Sequence, residues 1–339
     1  MLIEVSNVLT VHEPTKEMIN WCKKNLVLSN PEYASKARMH LWLGNTPKTL
    51  SLYERHGDDL VLPFGVLREL PHKETMVFVS KFKPYESVDY KCDIPLYDYQ
   101  KEAVEAMIGA KYGILQSAAG SGKTQMGIAL AARLGRKTLW LCHTLDLVKQ
   151  SMDRAKMYMD SSLLGTISEG KVNIGKGITF ATVQTMCKLD LSKLKDEWDV
   201  IITDEVHRVS GTPTSVTQYQ KVLNSLAARH KYGLSATVHR SDGMIEATYA
   251  LVGNVSHVVP DEAVADKIMK VGTLPVGTGV QMSRGALNTD GTINYTKLIT
   301  YLVENEERNQ LIADSIEPGR SSLILSARLG HLENIMNML

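Results

Sequence analysis

Ser117-Ala118-Ala119-Gly120-Ser121-Gly122-Lys123-Thr124 stands between an apolar run at 112–116 and a helix-compatible stretch at 126–134. Strand, glycine turn and helix in that order are the setting a phosphate-binding loop requires. Gly120 and Gly122 allow main-chain N–H groups to approach phosphate oxygens, and the helix beginning near Gly122 points its positive end at them. Lys123 is expected to reach the β and γ phosphates and Thr124 to ligate Mg²⁺. Ser117, Ala118, Ala119 and Ser121 complete the cradle. Serine at 117 departs from the usual small Gly or Ala there, so the match rests on Gly120, Gly122, Lys123 and Thr124. The expected ligand is ATP with Mg²⁺, and the expected class is α/β.

A second segment, residues 199–207, reads Asp-Val-Ile-Ile-Thr-Asp-Glu-Val-His. An apolar run of this length is the pattern of a strand buried on both faces of a parallel sheet. Ligand sites in open α/β sheets lie at the carboxyl ends of the strands, which brings Asp204 and Glu205 beside the loop. Asp204 is then a metal-side carboxylate and Glu205 the group that orients or deprotonates the attacking water. His207 follows as a third candidate for the catalytic set. A strand ending in a solvated acidic turn is the bland alternative for the pair taken alone.

Between residues 97 and 235, strand-like runs at 112–116, 138–142, 178–182, 200–204 and 232–235 alternate with helical stretches at 126–134, 145–158 and 216–229. That alternation implies a parallel sheet with helices on both faces. Residues 1–90 mix short β-like runs with a helix over 14–25 and read as a small separate α+β domain. The stretch 81–87, with Pro84 inside it, reads as a linker.

Composition narrows the class without naming a partner. A formal net charge of +1 over 339 residues does not by itself announce a nucleic-acid binder, although basic patches can sit on a neutral chain. Cys22, Cys92, Cys142 and Cys187 are scattered without metal-ligand spacing and read as reduced thiols. No apolar stretch reaches transmembrane length and the start lacks a signal-peptide layout, so the expectation is a cytoplasmic protein without a membrane partner.

Beyond the two nucleotide motifs, an ordered set of shorter ones resembles the superfamily 2 helicases and translocases. Leu96-Tyr97-Asp98-Tyr99-Gln100 is similar to the segment whose glutamine reads the adenine edge, which would be Gln100. Residues 139–150, including Thr144, are similar to motif Ia. Thr182-Val183-Gln184-Thr185 resembles the later first-domain motif that touches a nucleic-acid backbone, implying such contacts for Thr182, Gln184 and Thr185. Ser235-Ala236-Thr237 resembles motif III, which couples the γ-phosphate site to the nucleic-acid surface. Its continuation, Val238-His239-Arg240-Ser241-Asp242-Gly243, narrows the likeness to the XPB-like and phage UvsW-like branch, with Val238 where relatives usually have proline. Segments at 294–297, 306–309 and 322–328 resemble the start of a second RecA-like domain, with a strand over 322–326 as motif IV and Arg328 as a further backbone contact.

The resemblance implies a RecA-like parallel sheet of the P-loop NTPase type, preceded by a small α+β domain. It places an accessory, DNA-binding domain at 1–90, the first RecA-like ATP-binding domain at 91–260, and an incomplete second one at 261–339. The implied activity is ATP hydrolysis coupled to helicase or translocase movement on duplex or branched DNA. Weak turnover is expected of this chain alone, because the later motifs carrying the arginine finger are not found. A second motor half or self-association would supply them. The alternatives are an RNA helicase, a non-hydrolysing regulator that binds ATP and DNA, and, more weakly, a restriction-complex motor subunit, for which no nuclease motif of clustered carboxylates and lysine is apparent. In the first domain, Trp21 and Trp42 are candidates for stacking on bases, with burial the expected outcome, and lysines and arginines such as Lys36, Arg38 and Lys48 are candidates for a phosphate surface, with a solvated face the expected outcome.

Overall fold

A computed structural model describes residues 1–238, 243–266, 272, 274–281, 284–288 and 291–339. Two compact units are present, Met1–Met269 and Lys270–Leu339. His239, Arg240, Ser241 and Asp242 of the motif III continuation lie outside the described residues.

The first 80 residues contribute strands β1 (Leu2–Val5), β2 (Val8–His12), β3 (Val27–Ser29), β4 (Thr49–Ser51), β5 (Glu54–His56), β6 (Asp59–Pro63) and β7 (Val77–Ser80), with helices α1 (Lys16–Asn25) and α2 (Pro31–Arg38). They form a sheet in the order β5-β6-β2-β1-β7 and a small β3-β4 pair. Helix α1 starts two residues after Pro14 because Thr15 takes the cap position, its hydroxyl accepting from Met18 N at 3.2 Å. One face of this sheet is not closed on itself. Ile3, Leu9, Leu60, Leu62, Phe64 and Val66 share a core with Tyr112, Val216, Met244, Ala247 and Ala250. Gly65 makes that junction possible, since a Cβ there would lie 2.5 Å from the carbonyl oxygens of Tyr249 and Ala250.

The remainder of this unit adds β8 (Tyr112–Gln116), β9 (Thr138–Cys142), β10 (Leu164–Ser168), β11 (Lys171–Asn173), β12 (Ile178–Thr182), β13 (Val200–Thr203), β14 (His230–Ser235) and β15 (Val255–Val258). Its helices are α3 (Asp98–Ala110), α4 (Lys123–Leu134), α5 (Leu145–Lys156), α6 (Val183–Met186), α7 (Pro213–Ser225), α8 (Ile245–Val252) and α9 (Asp261–Val264). The sheet order is β11-β10-β12-β9-β13-β14-β8-β15, with every pairing parallel except β10 with β11. The sheet is therefore the helix-covered α/β layer that the alternating pattern implies. The five strands read from sequence are its centre.

Three strands escaped that reading. β10 and β11 are joined across Glu169 and Gly170, both at positive φ, a two-residue hairpin turn. β15 is a short edge strand following Gly253. Helix α7 covers Pro213–Ser225 rather than 216–229: Thr212 caps it with Pro213 in the first turn, and the buried residues Leu226, Ala227 and Ala228 lead into β14 instead.

Packing above the sheet is set by Trp140 on β9. Its ring lies beside Phe180 of β12 and beneath α4. A Cβ on Gly127 would sit 2.6 Å from that ring, so glycine lets α4 approach the sheet. This fixes the height of the helix whose first residue is Lys123.

The Lys270–Leu339 unit holds α10 (Tyr295–Glu304), α11 (Glu306–Asp314) and α12 (Leu329–Met336). The strand expected over 322–326 is not formed: these residues join no ladder, and Leu323 and Leu325 are exposed. An apolar run becomes a strand only when a neighbour takes its N–H and C=O groups, and no described residue does so. Arg328 caps α12 and its N–H donates to Ser326 Oγ at 3.2 Å.

Candidate functional site

The carboxyl ends of β9, β13, β14 and β8 lie side by side, and the candidate residues are the ones that leave them. From β8 the chain enters Ser117; from β13, Asp204; β14 ends in Ser235; β9 leads to His143 and Thr144. Ser117 N donates to Ser235 O at 3.0 Å and Asp204 N to Leu141 O at 2.9 Å, so ladder bonding continues past the strands into the site.

The loop between β8 and α4 is shaped by Gly120 at φ 80° and Gly122 at φ 84°. Helix α4 begins at Lys123 with Gly122 as its cap residue, leaving its first N–H groups for an anion. Ser117 Oγ donates to Ser121 Oγ at 2.6 Å across the loop. The Lys123 ammonium lies inside the loop, donating to Ser117 O at 3.2 Å and Ala118 O at 3.3 Å. The Thr124 hydroxyl has no hydrogen-bond partner among the described residues.

Gln100 braces the loop from outside. Its Oε1 accepts from Tyr97 N at 2.9 Å as part of the α3 cap, and its Nε2 donates to Ser121 O at 2.9 Å. Tyr99, which the sequence reading passed over, gives the same carbonyl a second donor at 3.0 Å. Gln100 Nε2 would be 2.5 Å from a Cβ on Gly122. The amide is thus within the loop's own contact shell.

Asp204 is buried at the end of β13. Its Oδ1 accepts from Glu205 N at 3.0 Å and its Oδ2 faces Ser151 Oγ at 3.5 Å. Burial raises its pKa to about 6, helped by the adjacent Glu205 charge and opposed by Lys123 and Ser151. Ser151 was not singled out in the sequence, although a hydroxyl on the Val148–Ser151–Ala155 stripe of α5 marks a polar group turned inward. Glu205 has left-handed backbone, φ 47° and ψ 52°, a conformation costing about 1–3 kcal/mol in a non-glycine residue. The bend turns the chain out of the strand and into Val206–Arg208. The hydrogen bond with His207 holds the Glu205 carboxyl below its ordinary range against the pull of burial, with Lys123 acting in the same direction.

His207 Nδ1 stands 3.3 Å from Glu205 Oε2 and 3.1 Å from Ser235 Oγ. Ser235 Oγ in turn donates to Thr237 O at 2.6 Å and lies 3.2 Å from Thr237 N. A continuous polar path therefore joins Glu205, His207, Ser235 and Thr237, with Ala236 between the last two. Gly233 keeps it compact: a Cβ there would be 2.8 Å from both methyl groups of Val206.

Thr144, Thr182, Gln184 and Thr185 gather at the ends of β9 and β12, where their polar groups are engaged locally. Thr144 caps α5 by accepting from Leu147 N, Thr182 Oγ1 donates to Thr185 Oγ1 at 2.9 Å, and Gln184 Nε2 donates to His143 O at 2.9 Å. His143 was missed in the sequence, though it occupies the same strand-end position as Ser117 and Asp204. Its Nδ1 is buried without a partner among the described residues, and burial, then the Arg208 and His207 charges, lower its pKa.

The donor set fits ATP with Mg²⁺. Among the described residues no cluster of three or more His, Cys, Asp or Glu forms a protein-only metal cage. Mg²⁺ is ordinarily held by one or two protein ligands with phosphate and water supplying the rest. A buried carboxylate whose ionised form is disfavoured, beside a hydroxyl and an ammonium facing a helix N-terminus, has that chemistry.

Residues 93–240 match the family described as type III restriction enzyme, res subunit. The L396 protein of Acanthamoeba polyphaga mimivirus, whose name describes an ATP-dependent RNA helicase, is 28% identical over 233 residues, covering 67% of this chain and 44% of that protein. The DNA 3'-5' translocase XPB2 of Sulfurisphaera tokodaii is 32% identical over 177 residues, covering 52% of this chain and 38% of the relative. The chain thus spans less than half the length of either. The crystal structure of the UvsW helicase from bacteriophage T4 superposes with a TM-score of 0.56 at 17% identity, covering 75% of this chain and 99% of that one, a likeness of fold. No helix among the described residues is long and apolar enough to cross a membrane. Residues 93–240 are thus similar to the type III restriction-like ATPase core, and the relatives that the chain matches are named as helicases and translocases.

Proposed function

We propose that this chain carries the ATP-binding half of a DNA helicase or translocase motor acting on duplex or branched DNA. The observation that supports it best is the polar path Glu205–His207–Ser235–Thr237, which runs from the expected hydrolysis site beside the phosphate loop to the end of β14. A loop that only bound nucleotide would need no such connection. In this reading the N–H groups at the start of α4 and Lys123 hold the phosphates, the ammonium exchanging its loop carbonyls for phosphate oxygens. Thr124 and Asp204 hold Mg²⁺, which when bound neutralises charge on the phosphates. Glu205 positions water, and its hydrogen bond to His207 reports nucleotide state to Ser235-Ala236-Thr237. Gln100 reads the base. Thr144, Thr182, Gln184 and Thr185 present hydroxyls and amides to a sugar-phosphate backbone, which positions a strand without reading its sequence.

We infer further that the chain alone turns over slowly. The resemblance gives the arginine finger to later motifs that are not found in these residues, and such an arginine contributes about 10³ to 10⁵ in rate. A second motor segment or another copy would supply it. The name of the mimivirus relative favours an RNA helicase as the second reading.

The test is ATPase rate with duplex, forked and single-stranded DNA and with structured RNA, ATP binding being followed in parallel. Lys123→Ala should abolish binding, and Glu205→Gln should abolish turnover while sparing binding. Stimulation by RNA alone would replace DNA in the proposal. Turnover that survives both substitutions would remove the motor reading.

A further inference from the structure

The sequence reading expected Trp42 to be buried, and the structure places it in water. It is 90% exposed, with Met39 at 64% and Leu41 at 55% beside it. This is the turn after α2, residues 39–43, far in sequence from the nucleotide motifs.

The turn is held in shape at both ends. Met39 N donates to Ser35 O at 3.0 Å, Leu41 N to Lys36 O at 2.9 Å and Thr46 N to Leu43 O at 3.0 Å. Lys36 Nζ donates to Thr46 Oγ1 at 2.9 Å, and Asn30 ties the start of α2 to the returning chain through Pro47 O at 2.8 Å. Gly44, at φ 52°, lies against the indole: a Cβ there would be 3.1 Å from Trp42 Cζ3. The ring is presented on a fixed turn, with one side backed by main chain.

Charge along this stretch of sequence has one sign. Between Glu32 and Glu54 the sequence contains Lys36, Arg38 and Lys48 and no aspartate or glutamate. Lys36 is paired with Glu32. Arg38 and Lys48 have no ion pair among the described residues.

An aromatic face held in water, on a stretch of chain whose charged residues are all basic, is the kind of surface on which single-stranded nucleic acid binds, bases stacking on the ring and phosphates meeting the cations. Bases inside a continuous duplex have their faces covered by their neighbours and cannot stack on a side chain. We propose that the 39–43 turn is a binding element for unpaired bases, with Trp42 stacking on an exposed base and Arg38 and Lys48 on the flanking phosphates. It gives the chain a preference for forked or gapped DNA over unbroken duplex. The proposal rests on the DNA reading above and adds the DNA feature that is recognised and the residue that recognises it.

The test measures fluorescence anisotropy of labelled single-stranded, forked and blunt-duplex oligonucleotides with the full chain and its Trp42→Ala, Trp42→Phe and Arg38→Ala variants, each first checked for an unchanged thermal melt. Trp42→Ala should weaken single-stranded and forked DNA by about tenfold, the scale of one lost base–aromatic stack. Blunt duplex should be unaffected, and Trp42→Phe should recover most of the loss. Arg38→Ala should weaken all three and flatten the salt dependence. Equal binding of every substrate by wild type and Trp42→Ala overturns this proposal and leaves the DNA reading standing. Failure of wild type to bind any of them overturns both. Trp42-dependent binding to vesicles of phosphatidylcholine and phosphatidylserine, with DNA affinity indifferent to Trp42, assigns the turn to a lipid surface and also overturns it.

Discussion

Lys231 is the most heavily buried cation described, and it offers a quantitative test of how the first sheet is joined to the eight-stranded one. It sits on β14, four residues before Ser235, and its ammonium donates to Asn7 O at 2.9 Å and Leu223 O at 2.7 Å, with the Phe64 ring at 5.1 Å. No carboxylate accompanies it, and burial lowers its pKa from 10.5 to about 7. A depression of that size corresponds to on the order of 5 kcal/mol against the charged form. Below the native pKa both the folded and the unfolded chain carry the proton, and the penalty is fully present. As pH rises from about 7 toward 10.5 the unfolded chain binds more protons than the folded one, so stability rises and the penalty disappears. Lys231→Met keeps the volume and removes the titration. It also strands two carbonyls, so it lowers stability at alkaline pH; the informative quantity is the slope. Urea unfolding at half-unit steps from pH 7 to 10 should show wild type gaining about 3 kcal/mol relative to Lys231→Met. Parallel curves for the two proteins would refute a buried, desolvated ammonium at this junction.

Asp204→Asn should make the chain more stable while removing nucleotide-dependent turnover. Ionised Asp204 is disfavoured by burial, with a pKa near 6 against 3.8 ordinarily, so the folded state loses on the order of 3 kcal/mol as pH rises from about 4 through 6. The melting-temperature gain of the variant should be full at pH 7.5 and vanish below pH 4. Gly233→Ala drives a methyl into Val206; overpacking of this kind costs about 1–3 kcal/mol, and ATPase assays should show a loss exceeding what the thermal melt explains, because the displaced turn carries Glu205 and His207. Ser235→Ala removes the hydroxyl shared by His207 and Thr237, so ATP affinity should be unchanged in titration calorimetry while DNA no longer accelerates hydrolysis.

The central strands were readable because two-sided burial writes them as continuous apolar runs, and the loop's shape was readable because the left-handed backbone it takes at 120 and 122 favours glycine. Residues that support the site were not legible in the same way. Ser151 and His143 act through where α5 and β9 place them, and neither a helical serine nor a lone histidine carries a local signal of its target. Lys231 reads in sequence as one more surface lysine until Asn7, 224 residues earlier in the chain, is seen to supply its acceptor. The 322–326 run was misread for the complementary reason. Apolar alternation states a capacity for pairing, and pairing is decided by a neighbour that the run itself does not contain.

The arrangement of β14 bears on how the two halves of the first unit work together. Its amino-terminal half holds His230 and Lys231, whose polar groups meet Lys111 O, Asn7 O and Leu223 O. Its last residue, Ser235, meets His207 and Thr237. A rigid strand transmits displacement along its axis with little loss, since sliding it would break its ladders to β13 and β8 together. Any shift of the Asp204–His207 turn that moves Ser235 is therefore felt where the first sheet is anchored. The converse also holds, because coupling between two sites is reciprocal in binding free energy. A ligand seated on the first sheet should alter ATP affinity by the factor with which ATP alters the affinity of that ligand. Measuring both legs of that cycle, in wild type and in Ser235→Ala, separates coupling through β14 from mere proximity: equality of the two factors is required in either protein, and only a strand-borne connection loses its magnitude when the single hydroxyl is removed.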